Sequence, residues 1–305
     1  MRSSKPAASR SRRSHPSGVT DGGRHSERTM SEMERWTPPE VLAAAKAVDG
    51  AWPLPSGIET VQTDDYSVLF RPGHLTSPTS GRVQAWVNSP RLFSEIRPEV
   101  EHLARERGEE EVWWWTGDPG GSAVEEDLRS VGAHLVVTQL VMARPLGRAD
   151  ADAWLDGGEP PGVETAVVAD AATFRALTDV ETTALRRLPA PPEVLSEEWS
   201  QLQADLVSSS AFALLASLDG TPASVGRCRL SGSVLCLCGA ATLPAFRRRG
   251  LYSSVLVARC RLGRANGATL ALTKARQTTS APILERAGFR SYRAEHCWRL
   301  GAHKS

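Results

Sequence analysis

The residues with the clearest chemical potential lie at positions 240–256, where three arginines precede a glycine in AATLPAFRRRGLYSSVL. Pro244 cannot donate a hydrogen bond to a sheet, and the apolar residues after Gly250 recur at helical spacing, so the pattern predicts a strand, a turn and a helix. The first N–H groups of a helix have no partner within it, and its dipole adds partial positive charge there. Together with the arginines, this predicts a site for an anion such as a pyrophosphate.

Other interpretations of this stretch compete with an anion site. The phosphate-binding pattern GxxxxGK[ST] and the dinucleotide-binding pattern GxGxxG do not occur in the sequence. A solvated basic turn is the plainest alternative. A nucleic-acid-binding patch is disfavoured because the formal net charge of the chain is only +1.

Residues 240–256 resemble motif A of the GNAT superfamily of N-acetyltransferases, whose core is [Q/R]-x-x-G-x-[G/A]. The segment RRRGLY at 247–252 occupies this core, and TLPAF before it matches the family's apolar-x-Pro-x-aromatic lead-in. The resemblance extends over residues 163–300. It includes the hairpin signal Asp219-Gly220, the strand at 268–275 and LERAGF at 284–289, which is similar to a helix end of the family.

The resemblance implies acetyl-CoA as cosubstrate, lying where the fourth and fifth strands of the domain diverge, and it implies no metal. Backbone amides near the end of the fourth strand would pair with the pantetheine arm, and those at the helix start would hold the pyrophosphate. Gln277 stands where the family often has a CoA-contacting Asn. The predicted cofactor-binding residues are Ala240, Ala241, Thr242, Arg247, Arg248, Arg249, Gly250, Leu251, Tyr252, Ser253 and Gln277.

The chemistry implied by the resemblance is direct transfer of an acetyl group from a thioester to a primary amine, helped by a base and an acid. Glu181, on the first helix pair, is the candidate base, with an ordinary surface glutamate as its alternative. Leu284 replaces the tyrosine that often protonates the leaving thiolate, so Ser280 is the candidate acid, with helix capping as its alternative. Transfer through ordered water is a further option. Tyr252 replaces a small residue and would bring a ring near the phosphates.

The rest of the 305-residue chain must position this site, and its length allows two domains. Residues 1–34 are rich in Ser, Arg, Gly and Pro and are predicted to be a disordered basic tail. Residues 35–146 and 163–305 each alternate strand and helix patterns, and an acidic Gly/Pro-rich linker at 147–162 separates them. The predicted fold class is α/β with a mixed α+β sheet: two GNAT-like domains in tandem, each a mostly antiparallel sheet flanked by helices.

A shift of 156 positions superposes the two halves. VWWW at 112–115 falls on 268–271, LRSVGA at 128–133 falls on LERAGF, and HLVVTQLVM falls on RSYRAEHCW. The first half has NSPRL at 88–92 in place of the glycine motif, so we interpret it as a degenerate repeat that has lost CoA binding. Within WWW, alternation sends the outer two rings to one face, and core packing competes with an aromatic wall for substrate.

The amino-acid composition restricts the compartment and the binding partners of the protein. Five cysteines without a CxxC pair favour a reducing compartment and argue against zinc. No apolar run is long enough to span a membrane, and we expect a cytoplasmic protein. The predicted function is acetyl transfer to the amine of a small molecule. A protein or peptide amine, a non-catalytic CoA-binding sensor or scaffold, and nucleic-acid binding through the tail are alternatives, and the oligomeric state stays open.

Overall fold

Strands and helices alternate through the residues that the computed structural model describes, which are 36–51, 54–117, 121–147, 153–155 and 157–301. The predicted tail lies outside these residues, and so does part of the predicted linker. The strands are β1 Glu59–Gln62, β2 Tyr66–Phe70, β3 Val83–Val87, β4 Glu111–Thr116, β5 His134–Pro145, β6 Val163–Val167, β7 Ala211–Leu218, β8 Thr221–Ser231, β9 Val234–Thr242, β10 Leu270–Arg276 and β11 Arg290–Gly301. The helices are α1 Pro38–Ala51, α2 Phe93–Glu106, α3 Gly121–Ser130, α4 Ala171–Leu185, α5 Pro192–Ser208, α6 Leu251–Ala265 and α7 Ala281–Arg286.

The strands form one sheet in the order β1-β2-β3-β4-β11-β5-β10-β9-β8-β7-β6. Reading inward, two antiparallel pairings precede the parallel pair from the β1 edge, and three precede it from the β6 edge. Each half has antiparallel strands followed by one parallel pair, β3 with β4 or β9 with β10. The mixed α/β class with a large sheet flanked by helices is therefore confirmed, and the two sheets expected of two domains are joined into one.

The last strand of each half pairs with the other half. Strand β11 lies against β4, and β5 lies against β10, both antiparallel. The two exchanged strands also pair with each other at the centre of the sheet. Strands β5 and β11 have 12 residues each and start 156 positions apart, at His134 and Arg290, as the superposition of the halves predicts.

The local elements follow the sequence signals closely. Asp219 and Gly220 take φ angles of +48° and +77° in the turn between β7 and β8, as a two-residue hairpin of this composition requires. Asp170 caps α4 by accepting a hydrogen bond from the Thr173 amide at 2.8 Å. Strand β1 is not predicted by the sequence, because its four residues are largely exposed and show no apolar alternation.

The tryptophans of β4 occupy both faces of the sheet, as their alternation predicts. Trp114 is fully buried and packs edge-on against Phe93 of α2, with ring centroids 4.9 Å apart. Trp113 is buried on the opposite face with Val137 and Cys297. Core packing therefore accounts for these two rings.

Helices cover both faces of the second half of the sheet. Helix α6 packs on the face that carries Leu235 and Leu237 of β9. On the opposite face, α4 and α5 cover β7 and β8, while α1 covers β5, β10 and the start of β9. Helix α1 precedes the first half of the sheet in the chain, so the first half contributes directly to the surroundings of β9 and β10.

The described part of the chain contains neither a membrane-spanning helix nor a metal-binding group of side chains. None of its helices combines the length and the apolar character of a membrane span. Among the same residues, no group of three or more His, Cys, Asp and Glu side chains is arranged to hold a metal ion.

The strand exchange predicts that the halves cannot fold apart. If residues 1–152 and 153–305 are made as separate polypeptides, β10 loses β5 and β4 loses β11, which leaves unpaired backbone at the sheet centre. We expect each piece alone to be unfolded or aggregated, and the two co-expressed pieces to purify as a one-to-one complex. Affinity capture through a tag on one piece, followed by thermal melting, measures this. A monomeric 153–305 piece that unfolds cooperatively would contradict it.

Candidate functional site

Strands β9 and β10 run parallel but separate soon after they meet. They pair only from Val234 to Cys236 and from Leu270 to Leu272, although both strands continue further. The register between β8 and β9 shifts so that Gly239 is an extra residue on β9, with a φ of +44°. A bulge of this kind bends its strand, which directs the end of β9 away from β10.

A cavity of about 190 Å³ lies where the two strands separate. Its walls include Ala45 and Val48 of α1 from the first half. The Thr273 hydroxyl donates to the Leu237 carbonyl at 3.0 Å and bridges the strands next to the last paired residues. The cavity therefore opens from a closed base and depends on α1 for one wall.

The turn between β9 and α6 has an unusual backbone. Residues Pro244–Phe246 form a single 3₁₀ turn, after which Arg248 and Gly250 take φ angles of +62° and +86°. A Cβ on Gly250 would lie 2.7 Å from Cγ of Pro160, so both the φ angle and the space require glycine. Pro160 belongs to a segment held on α6 by Arg261, whose guanidinium donates to the Gly157 carbonyl at 2.8 Å.

The start of α6 presents free hydrogen-bond donors. The first amide to bond back is that of Ser254, which donates to the Gly250 carbonyl at 3.0 Å. Within the described residues, the backbone N–H groups of 248–253 donate no hydrogen bond. Amides in this state, combined with the helix dipole, favour a bound anion.

The three arginines of the turn are exposed. Arg247 donates through Nε to the Thr242 carbonyl at 3.3 Å, and Arg249 lies 5.8 Å from the Phe246 ring centroid. None of the three forms an ion pair with any carboxylate in the part of the chain that the structure describes. Their charges are therefore available to a ligand beside the free amides.

Tyr252 does not extend over the turn, contrary to the expectation that its ring would lie near the phosphates. The side chain packs against the apolar cluster beneath α6, and burial raises the pKa of its hydroxyl while Arg259 opposes the rise. The larger residue at this position is accommodated in the core, because Tyr252 is directed along α6 toward Arg259.

The other predicted cofactor residues lie along the same opening. Ala240, Ala241 and Thr242 end β9 beyond the last position paired with β10. Leu251 is buried as the first residue of α6, and Ser253 is exposed. Gln277 follows β10 with an exposed side chain, and its backbone amide donates to the Thr138 carbonyl of β5 at 3.0 Å.

The two candidate catalytic side chains already have partners. Glu181 accepts two hydrogen bonds from Arg227, at 2.8 and 2.9 Å. To take a proton, it would have to give up part of this ion pair. Ser280 precedes α7 but makes no capping hydrogen bond, and its hydroxyl accepts from the Arg276 amide at 2.9 Å. Leu284 is buried in the core. The roles of Glu181 and Ser280 stay predictions.

In the equivalent turn of the first half, the arginine is paired with carboxylates of the same chain. Arg91, just before α2, forms ion pairs with Asp65, Glu95 and Glu99, the first two at 3.2 Å. Those carboxylates neutralise the arginine and would repel a phosphate. The degenerate character that the sequence predicts for this half thus has a physical counterpart in its charges.

Sequence reasoning missed two contributors to the site. The bulge at Gly239 carries a signal, since a lone glycine within an apolar strand marks a bulge. The α1 wall, with Ala45 and Val48, carries none, because α1 lies almost 200 residues before β9 in the chain.

Comparison with known proteins places this fold. No protein-family model matches the chain, and no curated protein matches its sequence. Solved structures do match. A GCN5-related N-acetyltransferase from Sphaerobacter thermophilus has a TM-score of 0.62 at 15% identity, covering 89% of this chain and 96% of that one. Another from Kribbella flavida has a TM-score of 0.57 at 17% identity, covering 88% and 96%.

A third similar structure has two such domains by its own description. It is a tandem GNAT protein from the clavulanic acid biosynthesis pathway, with a TM-score of 0.54 at 18% identity, covering 90% of this chain and 92% of that one. At identities of 15% to 18%, TM-scores of 0.54 to 0.62 show a shared fold and nothing finer. The chain therefore has the fold of the GCN5-related N-acetyltransferases, in its two-domain α/β form.

Proposed function

We propose that this protein is an N-acyltransferase that moves an acetyl group from acetyl-CoA to the primary amine of a small molecule. The observation that carries the proposal is the start of α6, where the amides of 248–253 lack partners beside three exposed arginines. These groups lie next to the opening between two diverging strands in a fold shared with N-acetyltransferases.

The residues present fit CoA well. The amides of 248–253 would bind the pyrophosphate, and Arg247, Arg248 and Arg249 would add charge-assisted hydrogen bonds. Ala240, Ala241 and Thr242 would offer backbone groups to the pantetheine arm at the free edge of β9. When bound, acetyl-CoA supplies a thioester whose carbonyl carbon the amine attacks.

The protein would bring the amine to this opening and exclude water from it. The cavity between β9 and β10 is closed by α1, so the first half of the chain helps to form the site. Glu181 stays the predicted proton acceptor and Ser280 the predicted donor, with ordered water as the alternative carrier. The five cysteines all lie within the described residues and none of them forms a disulfide, which supports a reducing compartment such as the cytoplasm.

A second candidate function is a CoA-binding sensor without catalysis. It is favoured by Leu284, which is buried where the family often has a tyrosine, and by Ser280, whose hydroxyl accepts from the Arg276 amide. The two functions separate in one assay. Binding of acetyl-CoA without thiol release across a broad panel of amines would support the sensor.

Binding at the turn predicts a sharp effect of Gly250→Asp. The new side chain would meet Pro160 at a left-handed φ and would set a carboxylate against phosphate. We expect the affinity for acetyl-CoA to fall by more than about 100-fold, which is about 2.7 kcal/mol. Calorimetry on the full chain measures it. Circular dichroism reports whether the variant is folded.

The matched control for this variant is Gly158→Asp, because a Cβ on Gly158 would meet no atom within 4 Å and this glycine has no left-handed φ. We expect it to bind acetyl-CoA like the wild type.

A milder variant, Arg249→Gln, should weaken binding by about tenfold through loss of one charge-assisted contact. No binding by the folded wild type at sub-millimolar acetyl-CoA would overturn the proposal.

The charges of the two turns predict one CoA site per chain. Since Arg91 is neutralised by Asp65, Glu95 and Glu99, the first half should not bind CoA. Calorimetric titration should give a stoichiometry of about one, because the turn at α6 combines free amides with unpaired arginines and the turn at α2 does not. A stoichiometry of two, or binding that persists in folded Gly250→Asp, would contradict this.

A further inference from the structure

Three arginines from distant segments of the chain converge beside the end of β10. Arg71 follows β2, Arg187 follows α4, and Arg276 is the last residue of β10. Arg71 and Arg276 contact the adjacent residues Ser80 and Thr79, and the charge of Arg187 acts on Arg71 while that of Arg276 acts on Arg187. Each side chain is half-buried.

The partners of these arginines are neutral. Arg71 donates to the Ser80 hydroxyl, and Arg276 donates to the Thr79 hydroxyl. Nε of Arg187 is buried and has no hydrogen-bond partner. None of the three forms an ion pair with a carboxylate among the described residues.

The nearby carboxylates are already engaged by a fourth arginine. Glu181 forms a bidentate pair with Arg227, and Glu198 lies 3.6 Å from the same guanidinium. Both carboxylates also attract the charge of Arg187, but among the described residues neither forms an ion pair with it. Four guanidinium groups thus share two carboxylates, so this region holds an excess of positive charge.

This excess is costly in the absence of a ligand. Burial, with repulsion from Arg187, lowers the pKa of Arg71 to about 10. Burial also lowers the pKa of Arg187 and of Arg276. Buried like charges without counterions destabilise a fold. An arrangement that keeps them is typical of a site whose anion arrives from outside.

The cluster lies at the end of a strand that borders the cavity between β9 and β10. Arg276 ends the strand that borders the cavity, and it directly follows Lys274 and Ala275 of β10. The loop from the first half reaches this place, because a Cβ on Gly73 would lie 3.2 Å from the Leu188 side chain. In the same loop, Nε2 of His74 is buried without a hydrogen-bond partner. Residues of both halves therefore surround the arginine cluster.

We propose that Arg71, Arg187 and Arg276 bind an anionic group of the acceptor, so that the substrates are amines carrying a carboxylate or a phosphate. That the bound molecule is the acceptor rests on the proposed acetyl transfer, whereas the anion site itself does not. Guanidinium groups suit both anions, because their paired N–H donors match two oxygens at once.

Anion binding is tested first, without turnover. The full chain is saturated with CoA to fill the turn at α6, and its melting temperature is compared in sodium phosphate and sodium chloride at equal ionic strength. We expect phosphate to add about 2–4 °C. Arg187→Gln and Arg276→Gln should lose this increment. Arg175→Gln is the matched control, since Arg175 is an exposed arginine of α4 outside the cluster, and its comparison removes the general effect of phosphate on stability.

A structural role for these arginines predicts a different result. Removing an unpaired buried charge should leave the melting temperature in chloride unchanged or higher, whereas removing a structural ion pair should lower it. Arg276→Lys keeps the charge but loses the paired donors, so it should retain only part of the phosphate increment. An equal phosphate increment in Arg187→Gln, Arg276→Gln and wild type would overturn the anion site.

Turnover then tests the substrate class. CoA release is measured with pairs that differ by one anionic group: L-lysine and cadaverine, L-ornithine and putrescine, phosphoethanolamine and ethanolamine. We expect the anionic member of at least one pair to have a kcat/KM about 10- to 100-fold higher, the effect of one charged hydrogen bond. Arg187→Gln should remove that preference. If in every pair the amine without an anionic group has an equal or higher kcat/KM, the inference is overturned.

The two failures are distinguishable. If acetyl-CoA does not bind, the proposed function fails, and the phosphate increment with its variants still reports on the anion site. If acetyl-CoA binds and amines are acetylated without preference for an anionic group, the proposed function stands and the inference about the acceptor fails.

Discussion

The fold depends on the antiparallel pairing of β5 and β11 at the centre of the sheet. Each strand completes the sheet of the half to which it does not belong, since β5 lies on β10 and β11 lies on β4. Neither half can then release its last strand without exposing backbone donors and acceptors of the other half. The first half thus supplies β5 to the sheet and α1 to the wall of the cavity, although its own helix start at α2 is surrounded by carboxylates.

The starts of α2 and α6 occupy corresponding places in the two halves but differ in their charged surroundings. Helices α2 and α6 both follow the first strand of a parallel pair, so both begin at corresponding places in the two halves. At α6 no described carboxylate contacts the amides or the arginines, whereas at α2 the arginine is held by three carboxylates. A few side chains thus decide whether a helix start binds a ligand or an internal acid, while the backbone that positions it is shared.

Sequence reasoning works here where the determinants are local. Neighbouring residues predict the turn at Gly250 and the hairpin at Asp219, and both are present. The 156-residue repeat is found by comparing two stretches of the sequence, and the last strands of the two halves start 156 positions apart. Strand exchange leaves no such trace, because the two last strands have equivalent patterns and nothing in either selects its neighbour. The direction of the Tyr252 ring was missed for a related reason: it is set by packing beneath α6, which motif spacing does not report. The arginine cluster joins three segments that are far apart in the chain.

The small net charge of +1 conceals a strong separation of charge, and this separation links the two proposed sites. Among the described residues, the arginines at the α6 turn and at the end of β10 form no ion pair, and these two places border the opening between β9 and β10. The carboxylates that balance them lie elsewhere, for example around Arg91. An opening with positive charge on both sides attracts anions and orients a ligand that carries one. An acceptor held by its anionic end beside β10 would keep its amine free to face the thioester, so the same charge that binds the substrate would also position it.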